Sequence, residues 1–133
     1  MALDITKPGI DLGIVTTNGD AMMAFYGGTL GLAHVGEFKM GGGTGMQRYQ
    51  CGDSLLKVVV LPGDAPATAP PGGIGGATGL RYFTITVSDI AGSVAACEEA
   101  GATIAVPVTE LRPGITIAMV EDPDGNWVEL LAS

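Results

Sequence analysis

The sequence is poor in basic residues, in aromatic residues and in histidine. Six Lys and Arg stand against fourteen Asp and Glu, which gives a formal net charge of −8. This excess of negative charge disfavours binding to nucleic acids and to anionic membranes, because both attract basic patches. No apolar run approaches the roughly 20 residues that a membrane helix needs. A single histidine, His34, also leaves no Ser-His-Asp or Cys-His catalytic constellation to build.

Cysteine is scarce as well. Cys51 and Cys97 lack the spacing of a metal knuckle or a redox pair, so we expect two reduced thiols without a function. The first residues, MALDITKPG, have neither the basic region nor the apolar region of a signal peptide. A cytoplasmic protein is therefore expected.

Glycine and proline, by contrast, are abundant, with 22 and 8 residues. They concentrate in the segment LPGDAPATAPPGGIGGATG, residues 61–79, which cannot form a helix or a central strand. The sequence therefore predicts a first module over residues 1–61, a flexible linker over 62–79 and a second module over 80–133.

The two modules repeat one order of predicted elements. The first has a strand at 10–17, a helix at 21–29 and strands at 33–40, 45–50 and 54–61. The second has a strand at 80–87, a helix at 90–100 and strands at 103–106, 115–121 and 127–131. Asn18 or Asp20 can cap the first helix and Asp89 the second, and Asn18 and Asp89 lie 71 residues apart. This spacing indicates an internal duplication of a βαβββ module.

Three motifs carry a resemblance to a known family: AMMAFYGGTLGL at 21–32, GLRYFTITVSDI at 79–90 and VEDPDGNWVELL at 120–131. They resemble the vicinal-oxygen-chelate superfamily of glyoxalases, bleomycin-resistance proteins and dioxygenases. The resemblance covers nearly the whole chain. It implies an α+β fold in which two tandem βαβββ modules form a curved mixed sheet around a central cleft. It also implies a homodimer, whose modules pair within one chain or are exchanged between two chains.

Enzymes of this family hold a divalent cation with one residue from the first and the last strand of each module. Matching the motifs places Leu12 and Lys57 at these positions in the first module, and Tyr82 and Glu129 in the second. Only Glu129 is a common metal ligand, because leucine has no donor atom and a lysine ammonium group repels a cation. The resemblance therefore implies a lost metal site, and no cofactor is expected.

The alternation of side chains along strands predicts what surrounds this centre. We expect Lys57, Tyr82 and Glu129 to converge in the cleft, either as a Lys57–Glu129 ion pair between the modules or as a catalytic set. The expected ligand-binding residues around them are Leu12, Ile14, Tyr49, Thr84 and Trp127.

Three functions remain open at this point. The first is a metal-independent protein that binds a small, cationic molecule in the cleft, as the bleomycin-resistance branch does. The second is a cofactor-free isomerase, lyase or cyclase that acts on an oxygenated metabolite through Lys57, Tyr82 and Glu129. The third, and least favoured, is a metal-dependent lyase or dioxygenase with unusual ligands.

Overall fold

The computed structural model describes residues 2–133 and contains two βαβββ modules, which confirms the predicted fold class. The first module comprises β1 (Leu12–Thr16), α1 (Gly19–Met23) with a π-helical continuation (Ala24–Thr29), β2 (Ala33–Gly41), β3 (Thr44–Cys51) and β4 (Ser54–Val60). The second comprises β5 (Tyr82–Thr86), α2 (Ile90–Glu99), β6 (Ile104–Arg112), β7 (Ile115–Glu121) and β8 (Trp127–Ala132). The intervening segment carries one short 3-10 helix (Gly73–Gly75), and no helix within residues 2–133 is long and apolar enough to cross a membrane.

Each module forms its own four-stranded sheet. The strand orders are β1-β4-β3-β2 and β5-β8-β7-β6, with the first strand of each module parallel to the last. Hydrogen bonding thus divides the strands into two equivalent sheets. Each sheet has its first strand, β1 or β5, at one edge.

Helix boundaries follow the sequence signals in part. Asp89 caps α2 as predicted, since its side chain accepts a hydrogen bond from the Gly92 N–H at 3.0 Å. Asn18 occupies the equivalent place before α1, but its side chain makes no capping bond. Both helical segments are followed by a glycine with positive φ, Gly31 at 71° and Gly101 at 88°, a conformation that L side chains rarely adopt.

One hydrophobic core, called here the shared core, is built from both modules. It consists of the inward side chains of β3, β4, β7 and β8 and the buried faces of the two helical segments, among them Met22, Phe25, Tyr26, Tyr49, Leu56, Val58, Val94, Cys97, Val120, Val128 and Leu130. The Tyr26 ring also stacks on Phe83 of the second module, with centroids 6.5 Å apart. Because both sheets bury one side in the same core, their other sides are turned away from it.

A buried hydrogen bond fastens the modules together. The Tyr26 hydroxyl donates to Asp122 Oδ2 at 2.7 Å, and both residues are almost wholly inaccessible to water. The Asp122 carboxylate also accepts hydrogen bonds from the backbone N–H groups of Asp124 and Asn126 and from the Asn126 amide, each at 2.9 Å. Nearby, Thr16 donates to Asp124. The predicted DPDG turn therefore also contacts the first module.

Burial raises the pKa of Tyr26, and the adjoining Asp122 carboxylate raises this pKa further. The hydroxyl consequently stays protonated and keeps its donor role throughout the neutral range.

The linker, which the sequence predicts to be flexible, is anchored to the second module. Arg81 Nε donates to the Gly73 carbonyl at 2.7 Å, and Arg81 Nη2 donates to the carbonyls of Pro70 and Pro71 at 2.8 and 3.3 Å. One guanidinium therefore holds three carbonyl groups of the connecting segment. Glycine and proline content predicted the lack of regular structure, but not this tertiary anchor.

We expect Tyr26→Phe to lower the free energy of unfolding by about 2 kcal/mol, because it removes a buried hydrogen bond to a charged group. Asp122 keeps three donors, so the protein should still fold. Urea unfolding followed by circular dichroism measures the effect. Tyr82→Phe, the same change at a 48% exposed ring, is the control and should shift stability by less than about 0.5 kcal/mol.

The same pair gives a pH test. The raised pKa of Tyr26 means that its contribution is present below the ordinary tyrosine pKa of about 10 and is lost as the pH rises above it. The gap in stability between wild type and Tyr26→Phe should therefore narrow above pH 10. A difference in unfolding free energy that stays constant above pH 10 would contradict the hydrogen bond from Tyr26 to Asp122.

Candidate functional site

The polar residues at the predicted centre lie on the sides of the two sheets that face away from the shared core, called here the outer faces. In the first module, Gly13 on β1 lies opposite Lys57 on β4, and Lys57 lies opposite Arg48 on β3. In the second, it pairs Tyr82 with Trp127 and Thr84 with Glu129. Paired residues on neighbouring strands point to the same side, so each outer face carries its own polar set.

The register places two of the predicted cleft residues on the core side of β1. Leu12 and Ile14 pair with Leu56 and Val58 and pack against the shared core, so they cannot line a pocket with Lys57. Gly13 takes the place opposite Lys57. The difference is a shift of one residue along β1, which moves every side chain to the opposite face.

Tyr49 also belongs to the core and not to the site. Its side chain is 2% exposed, and its ring packs closely on Gly27 of the helical segment, where an added Cβ would lie 3.0 Å from Cε1. Its neighbour Arg48 is on the outer face beside Lys57. Alternation along β3 predicted that only one of the two could enter the site, but it did not say which.

Asp11 is a site residue that the sequence analysis missed. Its Oδ1 lies 2.6 Å from Lys7 Nζ and accepts the Leu55 N–H at 2.8 Å, while its Oδ2 lies 4.0 Å from Lys57 Nζ. The hydrogen bond from Lys7 holds the pKa of this carboxyl below its usual value, helped by the Leu55 N–H and the charge on Lys57. The sequence carries two different signals: the 71-residue spacing of Asn18 and Asp89 leads from Tyr82 to Asp11, whereas the 70-residue spacing of Gly31 and Gly101 leads to Leu12.

Glu129 is positioned by its own module. Its Oε1 accepts a hydrogen bond from the Thr84 hydroxyl at 2.7 Å, and the two lie side by side on β8 and β5. The expected Lys57–Glu129 ion pair is not formed: in residues 2–133 both salt bridges involve Asp11. The reason is the shared core, which turns the two outer faces away from each other within one chain.

Trp127 lies on the outer face next to Tyr82, but the linker covers part of its ring. Its Nε1 donates to Glu121 at 3.1 Å, and the Gly73 backbone packs so closely on the indole that a Cβ there would overlap it. Arg81 holds Gly73 in this place. A ligand therefore has at most one free face of the indole to stack on.

The remaining candidates have structural roles. His34 Nε2 lies 2.7 Å from Gln47 Oε1, and its ring meets Tyr49 edge to face at 5.3 Å between centroids. Cys51 and Cys97 are free thiols, and burial raises the pKa of both. They stay protonated at neutral pH, which makes them poor nucleophiles.

The donor set does not fit a divalent metal ion. The first module offers the Lys57 ammonium group together with Asp11, a carboxylate that already contacts two lysines. Residues 2–133 contain no group of three or more His, Cys, Asp or Glu side chains arranged to hold a metal ion. Zinc and similar cations require three or four such ligands.

Two of the cavities at the junction of the modules are bordered by the turn at 122–125 or its neighbour Asn126, away from Lys57 and Glu129. One of about 230 Å³ is bordered by Thr16, Asp124 and linker residues 65–69. The other, of about 630 Å³, lies between α1 and the turn at 122–125. Neither has Lys57, Tyr82 or Glu129 in its lining.

A model of the Glyoxalase/Bleomycin resistance protein/Dioxygenase superfamily matches residues 10–130 of the chain. No curated protein matches the chain.

Solved structures share the fold. A glyoxalase family protein from Bacillus cereus is 18% identical, with a TM-score of 0.80 over 98% of this chain and 97% of that one. A putative glyoxalase family protein from Bacillus anthracis is 21% identical, with a TM-score of 0.70 over 98% of both chains. A glyoxalase I mutant from Zea mays is 17% identical, with a TM-score of 0.77 over 91% of this chain and 43% of that one. At these identities the likeness concerns the fold alone.

Substitution of Gly73 tests the contact between the linker and the indole. Gly73→Ala should push the linker off Trp127 and shift the fluorescence emission of this single tryptophan to longer wavelength, because the ring becomes hydrated. Gly75→Ala is the matched control, since an added Cβ there meets nothing within 4 Å. Equal spectra for both variants would contradict the contact.

Proposed function

Because this chain belongs to the glyoxalase/bleomycin resistance protein/dioxygenase superfamily, we propose that it binds an oxygenated small molecule without a metal ion. The proposed site lies between the outer face of a first module and the outer face of a second module. The observation that carries the proposal is the placement of polar groups at equivalent positions of the two sheets. Lys57 and Glu129 each lie on the last strand of a module, on the outer face, beside the first strand. A cleft between the two faces would bring their complementary groups to one ligand.

Within one chain the outer faces diverge, so the cleft requires a second copy. The edges of β1 and β5 are equivalent by duplication, and pairing β1 of one copy with β5 of the other would join the two sheets with their outer faces on the same side. A twofold axis then forms two such contacts and closes the dimer. Exposed apolar side chains at both edges support this arrangement: Ile10 and Val15 near β1, and Leu80 ahead of β5.

Charge supports the same pairing. The first-module face presents Arg48 and Lys57, whereas the second-module face presents Glu121 and Glu129. Opposite charges on the two joined faces favour association of the copies and fix their relative orientation. The dimer thus brings Lys57 of one copy towards Glu129 of the other, which a single chain does not do.

Binding fits these groups better than catalysis. Glu129 is held by a hydrogen bond from Thr84, and Lys57 lies 4.0 Å from the Asp11 carboxylate, so each charge is already directed by a neighbouring group. One observation favours a second candidate, a cofactor-free isomerase, lyase or cyclase. The exposed Tyr82 is a diagonal neighbour of Glu129 on the outer face, close enough for the phenol and the carboxylate to contact one substrate.

We also infer a cytoplasmic location. The two free thiols, Cys51 and Cys97, support it, since reducing compartments keep cysteines unpaired.

The dimer is tested by sedimentation velocity on two matched variants. Leu80→Asp places a charge next to the β5 edge, at a side chain that is 93% exposed, and should raise the dimer Kd at least about tenfold, equivalent to about 1.4 kcal/mol. Leu111→Asp makes the same change on β6, at a 63% exposed position, and should leave the dimer intact. A monomeric wild type, or dissociation by Leu111→Asp alone, would refute the proposed edge.

Metal-independent binding is tested by ligand-observed NMR with a panel of hydroxylated acids and amines in the presence of EDTA. We expect binding to persist in EDTA and to weaken at least about tenfold in Glu129→Gln. Binding that appears only after zinc, manganese or iron is added would overturn the proposal.

A further inference from the structure

We propose that the first-module outer face holds an oxyanion group of the ligand, a carboxylate or a phosphate, between the neighbouring side chains of Arg48 and Lys57. The inference rests on the proposed function and specifies the ligand chemistry of that site. It also departs from the cationic ligand that the overall charge of −8 suggests.

Arg48 has hydrogen-bonding capacity that the chain does not use. Its Nε is buried and has no hydrogen-bond partner, and its Nη2 reaches only the Val35 carbonyl, at 3.5 Å. Among residues 2–133 it has no carboxylate within salt-bridge distance. A buried, unpaired N–H of a guanidinium is costly, and the rest of this half-buried side chain can donate two parallel hydrogen bonds to a carboxylate or a phosphate.

Arg48 and Lys57 are directly opposed on neighbouring antiparallel strands. Like charges in this position destabilise a sheet, and the chain has only six basic residues to place. Asp11 offsets the charge incompletely. It lies 4.0 Å from Lys57 and contacts Lys7 more closely, at 2.6 Å. One carboxylate thus serves two lysines, and Arg48 has none; a ligand anion would relieve the repulsion.

Two glycines provide room beside these cations. Gly13, paired with Lys57 on β1, lacks a side chain, and an added Cβ would meet nothing within 4 Å. Gly36, paired with Arg48 on β2, lets the guanidinium lie along the strand, because a Cβ there would come within 2.7 Å of Nη2. In the strand order β1-β4-β3-β2, Lys57 and Arg48 therefore lie side by side, and each has a glycine on its far side.

The test is a titration of the ¹⁵N-labelled protein with inorganic phosphate and, separately, with acetate, at constant ionic strength. We expect saturable amide shifts at Gly13, Arg48 and Lys57. Arg48→Gln and Lys57→Gln should each raise the Kd at least about tenfold. Arg112→Gln removes the same charge from an exposed position on β6 and should change nothing. Binding of phosphate alone would assign a phosphate group, and binding of acetate a carboxylate.

Arg48→Lys is the control for a folding defect, because it keeps the positive charge at residue 48 but removes the planar guanidinium group. It should bind the anion more weakly than wild type and more tightly than Arg48→Gln. Shifts that grow linearly without saturation, or that are equal in wild type and both Gln variants, would overturn the oxyanion site.

Sedimentation of the same variants separates this inference from the dimer. Arg48 and Lys57 could instead serve only to attract the acidic face of a second copy. In that case the Gln variants will weaken the dimer, and the wild type will bind no anion. This result would refute the oxyanion site but would still support the intermolecular cleft. Anion binding by a monomeric wild type would support the site and refute the intermolecular cleft.

Discussion

The arrangement of the molecule depends on one buried contact, the hydrogen bond from Tyr26 to Asp122. A carboxylate in the interior is tolerated only when donors surround it, and Asp122 obtains three from its own turn and the fourth from the other module. The contact therefore fixes the π-helical continuation of α1 against the last turn of the second module. Both sheets then bury one side in the shared core and turn the other side away from it.

That packing decides where chemistry is available. The buried sides are mainly apolar, whereas Lys57, Thr84 and Glu129 are on the outer faces, at positions on the first and last strands of the two modules. Lys57 and Glu129 do not meet within one chain, because the faces point away from each other. A site that uses both must be assembled from two copies, which joins ligand binding to oligomeric state.

Local charge differs from the overall charge. The chain carries −8, yet Arg48 and Lys57 lie side by side near a single carboxylate, Asp11. Charges beyond a Debye length, about 8 Å at physiological ionic strength, contribute little at the surface. The preference of the first-module face is therefore set by its nearest groups, and these favour an anion, while Glu121 and Glu129 make the other face acidic.

The sequence by itself determined the order of elements, the duplicated module and the DPDG turn, because these depend on local periodicity, on helix caps such as Asp89 and on glycine and proline. It could also place Lys57, Tyr82 and Glu129 on strands. Only the tertiary structure decided that Gly13 and Arg48, and not Leu12 and Tyr49, lie beside Lys57. Alternation tells which residues of one strand share a side, but the register between strands and the side that meets the core arise from contacts far apart in the chain.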